Sequence, residues 1–100
     1  MGLTLSHDGG TATISVEGNL TVQTSPELEE VIRGLDEQVR DLDIDLSEVD
    51  FVSSAGLRVL VIAQKQTKLR GGRMRLLGPN DDVFSVLDMT GLSEVFVIER

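Results

Sequence analysis

The chain has 100 residues, of which 17 are acidic and 9 basic, giving a formal net charge of −8. This length allows one domain, residues 1–100, with a single core and no interdomain cleft. An acidic chain with three aromatic residues and no basic cluster is not expected to bind nucleic acid.

Cysteine usage and hydropathy limit the location of the protein. The sequence contains no cysteine, so it has neither a disulfide framework nor a thiolate metal site, which is typical of a reducing compartment. We therefore expect a cytoplasmic protein. No apolar run can span a bilayer and no secretory signal is visible, so membrane insertion is not expected. Residues 1–6 fit the loose N-myristoylation pattern, but the alternation of Leu3 and Leu5 favours a strand.

The N-terminal part predicts a hairpin followed by a helix. Residues 3–6 and 11–16 alternate in polarity, and the Asp-Gly-Gly between them supplies the positive φ angles of a tight turn. Residues 18–22 are interpreted as a short bent strand. Residues 24–27 then provide a cap, a proline at the first helical position and an early carboxylate. The buried face of this helix is predicted to contain Leu28, Val31, Ile32 and Leu35.

The middle of the chain predicts a strand, a turn and a second helix. In residues 42–46 apolar residues alternate with Asp43 and Asp45, which indicates one face on the core and the other in water. The helix that follows begins at Ser53 or Ser54, either of which is a suitable N-cap. Its apolar side contains Leu57, Leu60 and Val61, and it ends at Gly71-Gly72.

The C-terminal part predicts a strand, a third helix and a last strand. Residues 73–77 form the strand, Asn80 caps the helix, Gly91 ends it, and residues 95–98 form the last strand. A hairpin followed by alternating helices and strands predicts an α/β domain, a small mixed sheet with helices packed on it.

The two serines before the second helix allow two roles. A serine oxygen can accept a hydrogen bond from the first helical turn and act only as a cap. Alternatively, one serine is a phosphoacceptor, since the positive end of a helix stabilises an added phosphate. Spacing alone favours the capping role.

Four segments together resemble the STAS domain, and within that family the single-domain anti-sigma factor antagonists of bacteria. They are Asp45–Ser47, Val52–Leu57, Gly71–Gly72 and Leu87–Leu92, and the resemblance covers nearly the full chain. It implies a small sheet with helices on one side, no catalytic activity and no cofactor. It also implies a partner, an anti-sigma factor with serine kinase activity that binds the ATP.

The resemblance also assigns roles to individual residues. It places Ser54 at the phosphoacceptor position, Ser53 where aspartate is usual, and Ala55 where a second hydroxyl residue is frequent. Thr21 falls where an acidic residue usually follows a Gly-x-Leu motif. Phosphorylation of Ser54 would then switch off binding. The implied partner-binding residues are Thr21, Asp45, Ser53, Ser54, Ala55, Gly56, Leu57 and Arg58.

Other functions lack the residues they need. A serine hydrolase requires a histidine near the serine, but the only histidine, His7, lies in the hairpin turn. No metal-ligand spacing and no phosphate-binding glycine loop with a lysine are present. The rival hypothesis is a STAS subunit that is not phosphorylated and belongs to a larger assembly, such as a lipid-transport complex or a signalling scaffold. Oligomeric state stays open, with strand edges or the apolar patch around Phe51 as possible dimer contacts.

Overall fold

The computed structural model describes residues 1–100, which form five strands and three α-helices. The strands are β1 (Gly2–Asp8), β2 (Thr11–Glu17), β3 (Asp41–Glu48), β4 (Met74–Leu77) and β5 (Val97–Glu99). The helices are α1 (Ser25–Arg33), α2 (Ser54–Leu69) and α3 (Asp81–Met89), and a short 3₁₀ helix, Leu92–Glu94, follows α3. None of the helices combines the length and apolar character needed to cross a bilayer. The predicted α/β class is confirmed.

The sheet has the strand order β1-β2-β3-β4-β5. The β1–β2 hairpin is antiparallel and turns at Gly9, whose φ is +62°. The other three pairs of neighbouring strands are parallel. Because parallel strands end at the same edge of a sheet, the loops 18–24, 49–53 and 78–80 all leave from that edge. We call it the carboxyl edge, and in open α/β sheets binding sites concentrate there.

The core lies between one face of the sheet and the helices. Side chains of a strand alternate between faces, and the buried apolar residues of β2, β3 and β4 all belong to the same face. They are Ala12, Ile14, Val16, Leu42, Ile44, Leu46, Met74 and Leu76. Leu28 and Ile32 of α1 and Leu60 of α2 are fully buried against this layer. Each such aliphatic side chain contributes roughly 1.5–3 kcal/mol to folding.

The opposite face of the sheet carries a charged cluster. The alternation of residues 42–46 predicts that the Asp43 side chain faces water, but this side chain is only 10% exposed. Arg75 donates to both of its oxygens, from Nε to Oδ1 at 2.8 Å and from Nη2 to Oδ2 at 2.6 Å. Arg75 Nη1 also donates to the Glu99 carboxylate at 3.1 Å. The contacts with Asp43 and Glu99 raise the pKa of the Arg75 guanidinium, and the contact with Asp43 has the larger effect. The arginine therefore stays charged.

Four further expectations differ from the structure. Leu35 is buried as predicted, but it lies beyond the end of α1 at Arg33. Residues 18–22 form no strand and make a single bridge between Leu20 and Val52. The last strand begins at Val97 instead of residue 95, because the N–H groups of residues 95 and 96 both donate to the Leu92 carbonyl. Thr24 occupies the cap position of α1 but does not cap it, since its hydroxyl donates to the Asn19 carbonyl at 2.7 Å.

Candidate functional site

The two serines at the start of α2 have different environments. Ser53 is the N-cap, with extended backbone (φ −77°, ψ 172°), and its Oγ accepts from the Gly56 N–H at 3.2 Å. Ser54 is the first helical residue and is exposed. Its hydroxyl makes no hydrogen bond within the protein. The capping role and a role for a free hydroxyl therefore belong to two different residues.

Two loops of the carboxyl edge are joined beside these serines. Ser53 N–H donates to the Leu20 carbonyl at 2.7 Å, and Leu20 N–H donates to the Phe51 carbonyl at 3.0 Å. Asn19 Oδ1 accepts from the N–H groups of Asp50 at 3.1 Å and Phe51 at 3.0 Å. The β2–α1 loop is thus fixed against the β3–α2 loop. Asn19 was not among the predicted site residues, because its only signal in the sequence is an amide side chain next to a glycine.

Gly56 is required by packing. A Cβ at this position would lie 2.8 Å from both the Leu20 Cβ and the Val52 Cγ1, closer than carbon atoms pack. The first turn of α2 therefore rests directly on the β2–α1 loop. Gly56 is itself buried, so its contribution to the site is to bring the loop close to the helix.

Thr21 uses its hydroxyl inside the β2–α1 loop. Its Oγ1 accepts from the N–H groups of Gln23 and Thr24, each at 3.2 Å, and its own N–H donates to Thr24 Oγ1 at 2.8 Å. The residue is half-buried. In this arrangement threonine orders the loop.

The other predicted partner-binding residues are distributed over two faces. Asp45 alternates with buried neighbours, so it lies on the open face of the sheet, away from α2; its Oδ1 accepts from Ser47 N–H at 2.9 Å. Ala55 and Leu57 are half-buried. Arg58 is exposed, and it lies on the same side of α2 as Ser54 because the two are four residues apart.

Exposed apolar residues lie on both of the loops that meet at the start of α2. Val22 is 70% exposed and Phe51 is 51% exposed. Single exposed apolar residues are ordinary, but these two lie on adjacent loops next to a free hydroxyl. We refer to Val22, Phe51, Ser54 and Arg58 as the switch surface. Val22 was not among the predicted site residues, since a valine in an expected strand is indistinguishable from a core residue.

Comparisons with known proteins identify the family to which this chain belongs. The family model for the STAS domain matches residues 3–100. The chain belongs to the STAS family. The anti-sigma-B factor antagonist of Listeria monocytogenes is 35% identical over 90 residues, covering 87% of this chain and 77% of that protein. The Bacillus subtilis anti-sigma-B factor antagonist is 33% identical over 85 residues, covering 85% and 78%.

Solved STAS structures share the fold. The anti-sigma factor antagonist SpoIIAA in its unphosphorylated form superposes with a TM-score of 0.84 at 18% identity, covering 99% of this chain and 89% of SpoIIAA. The phosphorylated form of SpoIIAA, from Bacillus, gives a TM-score of 0.77 with 99% and 92% coverage at the same identity. The expected family and fold are therefore confirmed.

The electrostatics of this STAS site favour an anion at Ser54. The first turn of α2 contains no acidic residue. The N–H groups of Ser54 and Ala55 precede the first intrahelical hydrogen bond, so they have no helical acceptor. Together with the helix dipole they form a partial positive charge. A phosphate on Ser54 would meet a favourable field from its own chain.

Apart from the carboxyl edge, the open face of the sheet contains a groove. This groove of about 500 Å³ is lined by polar residues, including Asp41, Asp43, Arg75 and Glu99. Its three carboxylates are already engaged: Asp43 and Glu99 bind Arg75, and Asp41 Oδ1 accepts from Arg73 N–H at 2.8 Å. The groove therefore holds a network between strands, in contrast to the free hydroxyl at the carboxyl edge.

Proposed function

We propose that this protein is a cytoplasmic, non-catalytic anti-sigma factor antagonist. Its unmodified form binds an anti-sigma factor that has serine kinase activity, and phosphorylation of Ser54 by that partner ends the binding. The observation that carries the proposal is the position of Ser54, exposed and without a hydrogen bond at the first residue of α2, while Ser53 supplies the cap. Support also comes from relatives named anti-sigma-B factor antagonists.

The partner provides the chemistry of phosphate transfer. Serine is a weak nucleophile, and transfer requires bound ATP, magnesium and a base in line with the γ-phosphate. Ser54 Oγ attacks the γ-phosphorus, the bond to ADP breaks, and the hydroxyl proton passes to a base of the partner. This chain contributes a hydroxyl that no internal hydrogen bond has to release.

Release follows from the change of charge at the centre of the switch surface. A phosphoserine carries about −1.5 to −2 charges at neutral pH. Because Val22 and Phe51 are exposed on the two loops joined at the start of α2, a partner that covers them removes water from the region around Ser54. Placing a phosphate in such an interface costs its hydration, whereas the free antagonist keeps the phosphate in water at the helix N-terminus.

The test compares two adjacent serines as a matched pair. The protein is incubated with ATP and candidate kinases from its own genome, and the modified residue is identified by mass spectrometry. We expect phosphate on Ser54 in the unaltered protein and in Ser53→Ala, and no phosphate in Ser54→Ala. Binding to the same kinase is then measured by pull-down before and after phosphorylation, and the phosphorylated form should be lost from the complex.

Two outcomes would contradict the proposal. Equal binding of Ser54→Ala and Ser54→Asp to the cognate anti-sigma factor would exclude the switch. Phosphate on Ser53 would exclude the assignment of the acceptor. In the first case the rival hypothesis, a STAS subunit of a larger assembly that is not phosphorylated, would take its place. Transporter genes beside the coding sequence would agree with that rival, and a gene for an ATP-binding kinase would agree with the switch.

A further inference from the structure

The basic residues of this acidic protein are concentrated in one segment. Six of the nine lie between residues 51 and 80, whereas none of the 17 acidic residues does. The six are Arg58, Lys65, Lys68, Arg70, Arg73 and Arg75. The helix α2 carries the first three and no carboxylate. No two of the six basic residues are adjacent in the sequence, so they can form a common basic surface only in the folded protein.

Helical spacing arranges part of α2 into a line of exposed residues. Arg58, Ile62, Lys65 and Leu69 follow one another at intervals of four, three and four, which places them on one side of the helix. Arg58 and Lys65 are exposed, Ile62 is half-buried, and Leu69 is 89% exposed. We call these four residues the outer ridge of α2. It begins one helical turn after Ser54.

The cations of the ridge are free to meet a partner. Neither Arg58 nor Lys65 forms a salt bridge within the protein. A groove of about 430 Å³ runs beside the ridge and is also bordered by Arg33 and Arg70. Arg33 is paired with Glu29 at 2.8 Å. Arg70 donates to backbone carbonyls of the α1–β3 connection, including that of residue 36 at 2.8 Å, and forms no salt bridge.

We infer that the outer ridge of α2 is a second contact for the anti-sigma factor, and that it binds an acidic surface of that protein. The inference rests on the proposed function and names the chemistry of the partner. Carboxylates of the partner face Arg58 and Lys65. Ile62, between these two cations, and Leu69, one turn beyond Lys65, pack on apolar groups of the partner. The ridge is continuous with the switch surface through Arg58.

Charge complementarity selects this occupant. An acidic partner is repelled by most of a chain with a net charge of −8 and attracted only where cations predominate, so the ridge sets the orientation of approach. That orientation leads the partner toward Ser54. An anionic membrane also attracts cations, but the acidic remainder of the chain opposes it, and the ridge offers only one fully exposed apolar side chain.

The test uses a residue distant from the phosphoacceptor. Lys65 follows Ser54 by 11 residues, or about 16 Å along the helix axis. Lys65→Glu is compared with Arg73→Glu, which has the same change in charge at an exposed arginine outside the ridge. We expect Lys65→Glu to slow association with the anti-sigma factor about tenfold at low salt and to flatten its salt dependence. Arg73→Glu should bind like the unaltered protein.

Phosphorylation kinetics separate docking from the acceptor role. With Lys65→Glu, kcat/KM for phosphorylation of Ser54 should fall in parallel with association, while kcat at saturation is retained. Thermal unfolding of both variants should match the unaltered protein.

Each of three other outcomes overturns the inference. If unaltered protein and Lys65→Glu associate equally fast while Ser54 still controls binding, the ridge is not a contact and the proposed function stands. If no anti-sigma factor binds, both fail together. If Lys65 is instead required for sedimentation with vesicles of phosphatidylserine and phosphatidylcholine, and not for the anti-sigma factor, the ridge is a membrane contact.

Discussion

Gly56 and Leu20 approach each other so closely that a Cβ on the glycine would lie 2.8 Å from the Leu20 Cβ. This contact joins the first turn of α2 to the β2–α1 loop, and the backbone hydrogen bond from Ser53 to Leu20 lies next to it. Close packing of helix and loop holds the loop that carries Val22 against the start of α2. The geometry of the switch surface thus depends on Gly56, which is itself buried.

Replacing this glycine tests the packing directly. Gly56→Ala should lower the free energy of unfolding by about 1–3 kcal/mol, the usual cost of overpacking a tight contact. Gly10→Ala is the matched control, since the nearest atom to its added Cβ is the Gln38 carbonyl oxygen at an ordinary 3.8 Å. Urea denaturation of the two variants gives the comparison. Equal stability of both would mean that helix and loop do not make the close contact.

The two serines should differ in their effect on stability. Ser53→Ala removes the side chain that accepts from Gly56 N–H and should cost about 1 kcal/mol, as N-cap replacements do. Ser54→Ala changes an exposed side chain without a hydrogen bond, so its effect should lie within about 0.5 kcal/mol. Chemical denaturation measures both. A larger loss of unfolding free energy for Ser54→Ala than for Ser53→Ala would show that Ser54, and not Ser53, is the N-cap.

Thr21 gives a prediction about the β2–α1 loop. Thr21→Val removes the oxygen that accepts from Gln23 and Thr24 N–H, and it should cost about 1 kcal/mol because the part-buried Thr24 N–H loses an acceptor. Thr21→Asp keeps an acceptor and should be as stable as the unaltered protein. Thermal unfolding of the two variants measures this difference in stability. If Thr21→Val is neutral and Thr21→Asp weakens the fold, the hydroxyl does not order the loop.

Local signals predicted most of the elements. The hairpin turn, the Asn80 cap and the end of α2 at the glycine pair all follow from residues within a few positions of each other, and the structure has them there. Asn80 Oδ1, for example, accepts from Val83 N–H at 2.8 Å. The same kind of signal limited the N-cap of α2 to two serines, and the folded geometry selected Ser53.

Features that depend on distant residues could not be predicted. Asp43 alternates with apolar residues like any half-exposed strand residue, and only its pairing with Arg75, 32 positions later, accounts for its burial. The role of Asn19 depends likewise on backbone groups 31 and 32 positions away. In the site, Ser54 followed from the family resemblance, whereas the exposure of Val22 required the loop to be placed.

A negative charge at position 54 should strengthen the fold while it weakens the complex. Ser54 is the first residue of α2 and no carboxylate lies in that turn, so Ser54→Asp should raise the free energy of unfolding by about 0.3–1 kcal/mol through the helix dipole. Ser54→Lys is the opposite control and should lower it by a similar amount. Both effects should shrink at high salt. Binding of Ser54→Asp to the anti-sigma factor should be lost at the same time. Loss of stability in Ser54→Asp would contradict the prediction, because weaker binding would then follow from a damaged helix instead of repulsion at the interface.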